Sequence, residues 1–454
     1  MNLFIKNILP YLIVILTMTS VSQWSSFPIG NTVTDWALFL IIFLLLLSQK
    51  KYWYNKCNSK NLWFVKVYLW WVMICFIRGL LVAENYWDYK NLINGSFALF
   101  MAYAVYNFTN PFFLQQVLKK WMKFALPLFI LFIPLITRDA YGFYLVPISF
   151  LILFLPIINF KWKLILVTIS IFVVLSSLES RTSVVKFIIP ILFSLLFFFK
   201  NFLKSKLLKI IHLVVFVLPL LLLLLAANDT FNVFKMQEYI SPNTSTVIQN
   251  AKGEEQDLLG DSRTFLYKEV IFSAIKNDYV LFGRTLARGN DSVSFGYAIA
   301  KDIGVNRFER YSNEVSILNV FTWTGLLGVF LYFFIFYKAA YLAITNSNSY
   351  FLKILGLYVS FRWVTAWVED FNRFNIMNLI IWIVIAICYS EQFRKMSDRD
   401  FKFWVKGIFK KNTLKKSLIN YQVPVSKINN FMRLLPINPS PPVTIIFFII
   451  KFLH

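Results

Sequence analysis

Arginine is the residue type in this chain whose placement could do chemistry. Of the 13 arginines, Arg78, Arg138, Arg181, Arg263, Arg284, Arg288, Arg307, Arg310, Arg362 and Arg373 fall in or beside one alternating set of loops. Only Arg394, Arg399 and Arg433 lie in the lysine-rich C-terminal segment. A guanidinium fork matches phosphate oxygens two at a time and keeps its charge when partly desolvated, so such a set fits phosphate binding. The same arginines could instead pair with carboxylates nearby, among them Glu84, Asp88, Asp139, Glu179, Glu369 and Asp370. Both readings stay open at this level.

Three segments carry the chemistry. ESRTSVVKF, 179–187, puts Arg181 at the mouth of an apolar stretch, where a charge must be paired or face a polar cavity. FGRTLARGN, 282–290, is a glycine-punctuated turn bearing Arg284 and Arg288. RFERYSNEVSILNVFTWTGLLG, 307–328, brings Arg310 and Glu314 to the start of another apolar stretch, where the carboxylate is either a helix N-terminal cap or a general base. With only two histidines, His212 and His454, neither a zinc-type cluster nor a Ser/His/Asp triad can be assembled beside these segments. Cys57, Cys75 and Cys388 indicate no disulfide framework. No metal and no cofactor are expected.

The elements that position these residues are membrane spans. The chain is 58% hydrophobic and 15% charged with mean hydropathy +0.62, against about 25% charged in soluble domains. An all-α polytopic protein follows, with about 12 transmembrane helices near 8–24, 34–48, 62–82, 91–107, 121–136, 142–157, 162–178, 183–199, 207–226, 314–337, 351–368 and 375–390. The N-terminal stretch continues into further spans without a small-residue cleavage site, so it reads as the first helix. Residues 1–226 and 314–390 are the membrane parts, 227–313 one large polar loop, and 391–454 a basic tail.

Lysine sets the orientation. Lys50, Lys51, Lys56 and Lys60, then Lys119, Lys120 and Lys123, then Lys161 and Lys163, then Lys200, Lys204 and Lys206 fall on one side, which the positive-inside rule makes cytoplasmic. The tail, with 12 Lys+Arg against 3 Asp+Glu, lands there too, so both termini are expected in the cytoplasm. The loop has 10 Lys+Arg and 11 Asp+Glu, and is expected to be extracytoplasmic. The net charge of +24 is therefore topological, not a nucleic-acid footprint. In the tail, Trp404, Ile408 and Phe409 among Lys402, Lys406, Lys410 and Lys411 allow an amphipathic helix on the membrane surface or a basic tail without structure.

Inside the loop, DSRTFLYKEVIFSAIKND, 261–278, has helical apolar spacing at Leu266, Val270 and Ala274 and at Tyr267, Ile271 and Ile275. Asp261 or Ser262 is the expected cap and Arg263 belongs to the first turn.

This order of parts resembles the O-antigen ligase and polymerase superfamily of bacterial envelope glycosyltransferases. The resemblance rests on the many-span layout, Ser180–Arg181 opening a span, the loop helix beginning at Arg263, the Gly283–Arg284 turn and NEVSILNVFTWTGLLG, and covers roughly 175–337. It implies a metal-independent, inverting transfer of glycan from undecaprenyl pyrophosphate to an acceptor hydroxyl at the outer face of the bacterial inner membrane. Arg181, Arg263 and Arg310 would hold the pyrophosphate, with Arg284 and Arg288 as further substrate-binding residues and Glu314 as candidate base. Ligases of that family carry a His-Asn pair eleven residues before the helix glycine; that spacing from Gly325 reaches Glu314 here, which favours a polymerase acting on lipid-linked repeats. A ligase transferring to lipid A-core is the alternative, and a chain-length regulator is a possible partner.

A flippase or transporter is the reading of a different class. It would call for charges at the bilayer midplane and repeated halves, whereas the charges here gather at span ends and no repeat is visible. Metal-dependent lipid-carrier glycosyltransferases place acidic residues in the first outer loop. SSFPIGNTV, 25–33, has none.

Overall fold

The computed structural model describes residues 2–27, 29–54, 60–176, 181–202, 204–235, 247–249, 255–257 and 263–410. Cys57, Glu179, Ser180, Asp261, Ser262 and the tail beyond 410 lie outside the described residues, as does the side chain of Arg181. The described chain is all-helical with almost no strand. In order run α1 (Asn2–Thr19), α2 (Thr32–Trp53), α3 (Trp63–Val82), α4 (Tyr86–Phe100), α5 (Ala104–Phe108), α6 (Pro111–Phe132), α7 (Tyr141–Tyr144), α8 (Val146–Ile152), α9 (Phe160–Ser176), α10 (Arg181–Leu195) and α11 (Ser205–Ala227). The loop segment follows with the hairpin strands β1 (Val247–Gln249) and β2 (Glu255–Asp257), then α12 (Thr264–Lys276), β3 (Asn290–Asp291), α13 (Gly296–Ile303) and β4 (Glu309–Arg310). The last part holds α14 (Ser316–Thr345), α15 (Tyr350–Thr365), α16 (Ile376–Tyr389), α17 (Glu391–Lys395) and α18 (Asp398–Phe409).

Among the described residues, α2, α3, α11 and α14 are long and apolar enough to cross a membrane; apolar helices at Ile8–Trp24, Val184–Leu195 and Ile376–Tyr389 are shorter. The expected spans at 142–157 and 91–107 are not single helices. At 142–157 the chain breaks into α7, α8 and a 3₁₀ turn, Leu155–Ile157, because Pro147 and Pro156 cannot donate to the preceding turn and disfavour helix at the residue before them. At 91–107, α4 tightens through a 3₁₀ turn, Met101–Tyr103, into α5.

The core centres on α16, every residue of which is buried. Its sequence, IMNLIIWIVIAICY, is apolar all round except for Asn378, whose amide donates to Ala98 O and Arg373 O at 3.0 Å, as a helix enclosed on every side requires. Helix α14 packs on α3, α15 and α16, and α11 packs on α15, where His212 Nδ1 meets Ser360 Oγ at 2.9 Å. The amphipathic tail helix does form, as α18, but its apolar side is covered by protein. Phe401, Trp404, Val405 and Ile408 are buried on α6, and Trp404 Nε1 donates to the Pro111 carbonyl at 2.8 Å.

The feature that ties the loop to the bundle is a break in α14. Gly325 has φ 70° and ψ −173°, which splits the helix and strands backbone groups on both sides. Residues 280–284 fill the gap. Leu326 N–H donates to Val280 O at 2.9 Å, Leu327 N–H to Leu281 O at 3.2 Å, and Arg284 N–H to Thr322 O at 2.7 Å. Trp71 Nε1, from α3, donates to Thr324 O at 2.9 Å. Arg78, two turns further along α3, binds the inserted segment, with Nη1 on Phe282 O at 2.7 Å and Nη2 on Gly283 O at 3.0 Å.

Two glycines make this approach possible. A Cβ on Gly283, at φ +72°, would lie 2.5 Å from the backbone nitrogens of Thr324 and Gly325, and one on Gly325 would lie 2.3 Å from Leu281 O. Positive φ and backbone collision act together, so Gly283→Ala or Gly325→Ala should each destabilise the protein by about 2–6 kcal/mol. Gly304→Ala, also at positive φ but with nothing within 4 Å, should cost far less. Thermal stability of detergent-purified variants checks the order; equal loss for all three would show that the insertion does not hold the fold.

Candidate functional site

The polar residues where the loop segment rejoins α14 divide onto two faces, because neighbouring strand residues point opposite ways. On one face of β4, Glu309 is 4% exposed and binds both turn arginines. Arg288 Nε donates to it at 3.0 Å, Arg288 Nη2 closes a second bond, and Arg284 Nη2 lies at 3.2 Å. Arg284 Nη1 also reaches Asp291 at 2.6 Å, directly across the β3–β4 pair from Glu309. Burial works against the Asp291 charge, yet bonds from Arg284, Asn277 and Lys276 hold its pKa below the ordinary 3.8. Between the two arginines Thr285 sits at φ 105°, an uncommon conformation for a β-branched residue and a sign of strain. Arg284 and Arg288 are thus committed to carboxylates of their own loop.

Arg307 and Arg373 are also paired with carboxylates, and Arg362, among the described residues, is not. Arg307 Nη2 holds Asp88 at 2.6 and 2.7 Å, where Tyr311 Oη also donates at 2.9 Å. Arg373 pairs with Asp370 at 3.4 Å. Arg362 is 5% exposed over the Phe371 ring, 5.1 Å from its centroid, and its Nε has no acceptor among the described residues.

The other face brings three of the sequence candidates together. Arg263 is the N-cap residue of α12, and its Nη1 meets Glu314 Oε2 at 2.7 Å. From β4, Arg310 Nη2 meets Glu314 Oε1 at 3.2 Å. The two guanidinium side chains are 22% and 12% exposed, while the carboxylate they share is 55% exposed. Arg310 is fixed by its own Nε on Ser312 O at 3.1 Å and by the Phe295 ring 4.6 Å beneath. Its Nη1 is buried with no acceptor among the described residues. Two preorganised cations therefore converge on one open carboxylate, with a donor to spare.

A polar layer below fixes this rim. Asn319, in the first turn of α14, accepts from Asn313 N–H at 2.5 Å and donates to Asn313 O at 2.9 Å and to Asp370 Oδ1 at 3.1 Å. Ser316 N–H donates to Glu369 O at 3.1 Å and its hydroxyl accepts from Phe371 N–H at 2.8 Å. The first turn of α14 is thereby capped by the segment after α15, not by Glu314. Burial pushes the Asp370 carboxyl up, against bonds from Arg373, Asn372 and Asn319. Glu369 also pairs with Lys186 of α10, both largely buried.

Near Arg263 opens a small apolar crevice of about 80 Å³. Leu222, Leu223 and Ala226 of α11, Tyr267 of α12, and Trp367 and Val368 after α15 form its walls. Arg263 Nε lies 3.4 Å from the carbonyl of Val368, one of the wall residues. Compared with protein-family models, curated proteins and solved structures, the chain matches none.

The sequence pointed to Arg263, Arg310 and Glu314, and the structure joins them. It missed the Asn313–Asn319–Asp370 layer, for which the signal was an asparagine inside an apolar run, and it could not foresee the crevice, whose walls come from three distant segments. The two carboxylates of this region should respond differently to neutralisation. Glu309→Gln, which strands buried arginines, should lower stability by about 3–5 kcal/mol, whereas Glu314→Gln, at an exposed site, should change it little; denaturation of the purified variants separates them. Because the Asp291 pKa is lowered on folding, its contribution is present at neutral pH and is lost as pH falls below its ordinary 3.8. A nitroxide on Val293→Cys, two residues away, should stay equally mobile from pH 7 to 5 and become more mobile only below about 4.

Proposed function

We propose that this protein is a membrane glycosyltransferase of the polysaccharide-polymerase type, with about twelve spans, both termini cytoplasmic and the loop segment outside the bacterial inner membrane. It would transfer an undecaprenyl-pyrophosphate-linked glycan to a lipid-linked acceptor repeat. The observation that carries this reading is the meeting of Arg263 and Arg310 on an exposed Glu314, with Arg263 also bonded to Val368 of the apolar crevice. A lipid with an anionic head matches both halves of that arrangement.

In this reading the diphosphate, with more oxygens and charge than one carboxylate, draws the two guanidiniums toward itself and leaves Glu314 free to act. The acceptor hydroxyl oxygen attacks the anomeric carbon as the bond to the diphosphate oxygen breaks. The diphosphate departs with the electron pair, its growing charge held by Arg263 and Arg310 in a site that needs no reorganisation. The hydroxyl proton passes to Glu314. Arg181, at the start of α10, is the third proposed phosphate ligand, while Arg284 and Arg288 serve by holding the turn that fills the α14 break.

Surface glycan and carrier-linked glycan from cells with and without the gene, sized side by side, test this reading. Loss of long chains with single repeats still reaching the surface supports polymerisation. Long carrier-linked chains stranded off the surface would mean ligation, and repeats trapped on the cytoplasmic face would mean transport. At matched membrane abundance, Arg263→Lys or Arg310→Lys should lower transfer on the order of 10²-fold, since charge survives but the fork does not. Glu314→Gln should lower it about 10²- to 10⁴-fold; full activity in that variant would remove the base assignment.

A further inference from the structure

The loop helix α12 is apolar on two sides. Leu266, Tyr267, Val270 and Ala274 are buried against the rest of the protein, as an amphipathic helix demands. Its opposite side, where a helix standing in water would carry polar residues, instead exposes Ile271 at 41%, Phe272 at 69% and Ile275 at 61%. Lys268 and Lys276 border that strip, both exposed. Long side chains of this type can lay their stems along apolar surface and lift the ammonium to the headgroups.

The strip does not end with the helix. The chain runs on through Leu281 and Phe282, both more than half exposed, into the break of α14. There Phe282 lies 6.0 Å from Trp71 of α3, and the exposed apolar surface continues over Trp70, Ile74 and Ile77 on α3 and over Leu326 and Phe330 on α14. Both α3 and α14 are long and apolar enough to cross a membrane, so these side chains are the ones acyl chains would touch. The backbone bonds of Leu326 and Leu327 to Val280 and Leu281 fix the end of the strip at that depth.

We propose that α12 is an interfacial helix, its Ile271–Phe272–Ile275 side embedded among the acyl chains of the leaflet beside α3 and α14. The partner is the lipid bilayer itself, recognised by apolar surface flanked by lysines. A part of the chain that counts as loop by polarity is then part of the membrane domain. Arg263, at the N-terminal end of α12, is held at headgroup level whatever reaction the protein performs.

Nitroxide labels in the vesicle-reconstituted full chain test this. Phe272→Cys and Ile275→Cys are compared with Ile74→Cys on α3 and Val293→Cys, the latter 94% exposed, in a background with Cys57, Cys75 and Cys388 replaced. The expected result is that labels at 272 and 275 collide with oxygen more than with a water-soluble nickel chelate, as at 74, and opposite to 293. Preferential collision with the chelate would overturn the proposal, and so would protection from both reagents, which would mean that protein covers the strip. If the cysteine-replaced chain does not fold, a diazirine amino acid at 272 in the otherwise unaltered protein gives the same decision. Crosslinks to phospholipid support the proposal; crosslinks to protein, or only to water, overturn it.

Discussion

A break in a membrane-sized helix is costly because lipid offers no partner to the backbone groups it frees. Here the broken α14 is completed by the chain itself, with residues 280–284 supplying carbonyls to Leu326 and Leu327 and an amide to Thr322. Everything else at the site depends on that insertion. It fixes the end of α12, sets the turn that carries Arg284 and Arg288, and so determines where β3 and β4 can pair. Arg78 and Trp71 on α3 then secure the insertion to a second long helix.

The arginines divide by what they are bound to. Arg284, Arg288 and Arg307 spend their charge on Glu309, Asp291 and Asp88 and build a loop segment that needs no large apolar core of its own. Arg263 and Arg310 share an exposed carboxylate, and Arg310 Nη1 has no acceptor among the described residues. The same residue type thus does structural work on one face of β4 and offers binding chemistry on the other. Strand geometry, which turns Glu309 and Arg310 in opposite directions, is what separates the two uses.

A rim of this kind needs a rigid floor. The Asn313–Asn319–Asp370 layer and the capping of α14 by the Ala366 and Glu369 carbonyls tie down the chain under Glu314. Partly buried polar networks are most specific when their members are bonded, and this one links the start of α14 to the end of α15. The apolar crevice between α11, α12 and the residues after α15 adjoins this rim through Val368, whose carbonyl accepts from Arg263.

The sequence by itself determined the class of the protein: apolar stretches beyond what a soluble core requires, a helix from the spacing of Leu266, Val270 and Ala274, and most arginines in one alternating set of loops. Those are local properties, written in period and composition. It could not determine which arginines are spent, since Glu309 is 21 residues from Arg288 and Asp88 is 219 from Arg307. Nor could it show that Pro147 and Pro156 divide an expected span, that α18 turns its apolar side to α6, or that Gly325 opens α14 to receive Gly283. Those outcomes rest on packing between segments far apart in the chain, where a charge, a carbonyl or a missing Cβ acquires its role only from what the fold sets against it.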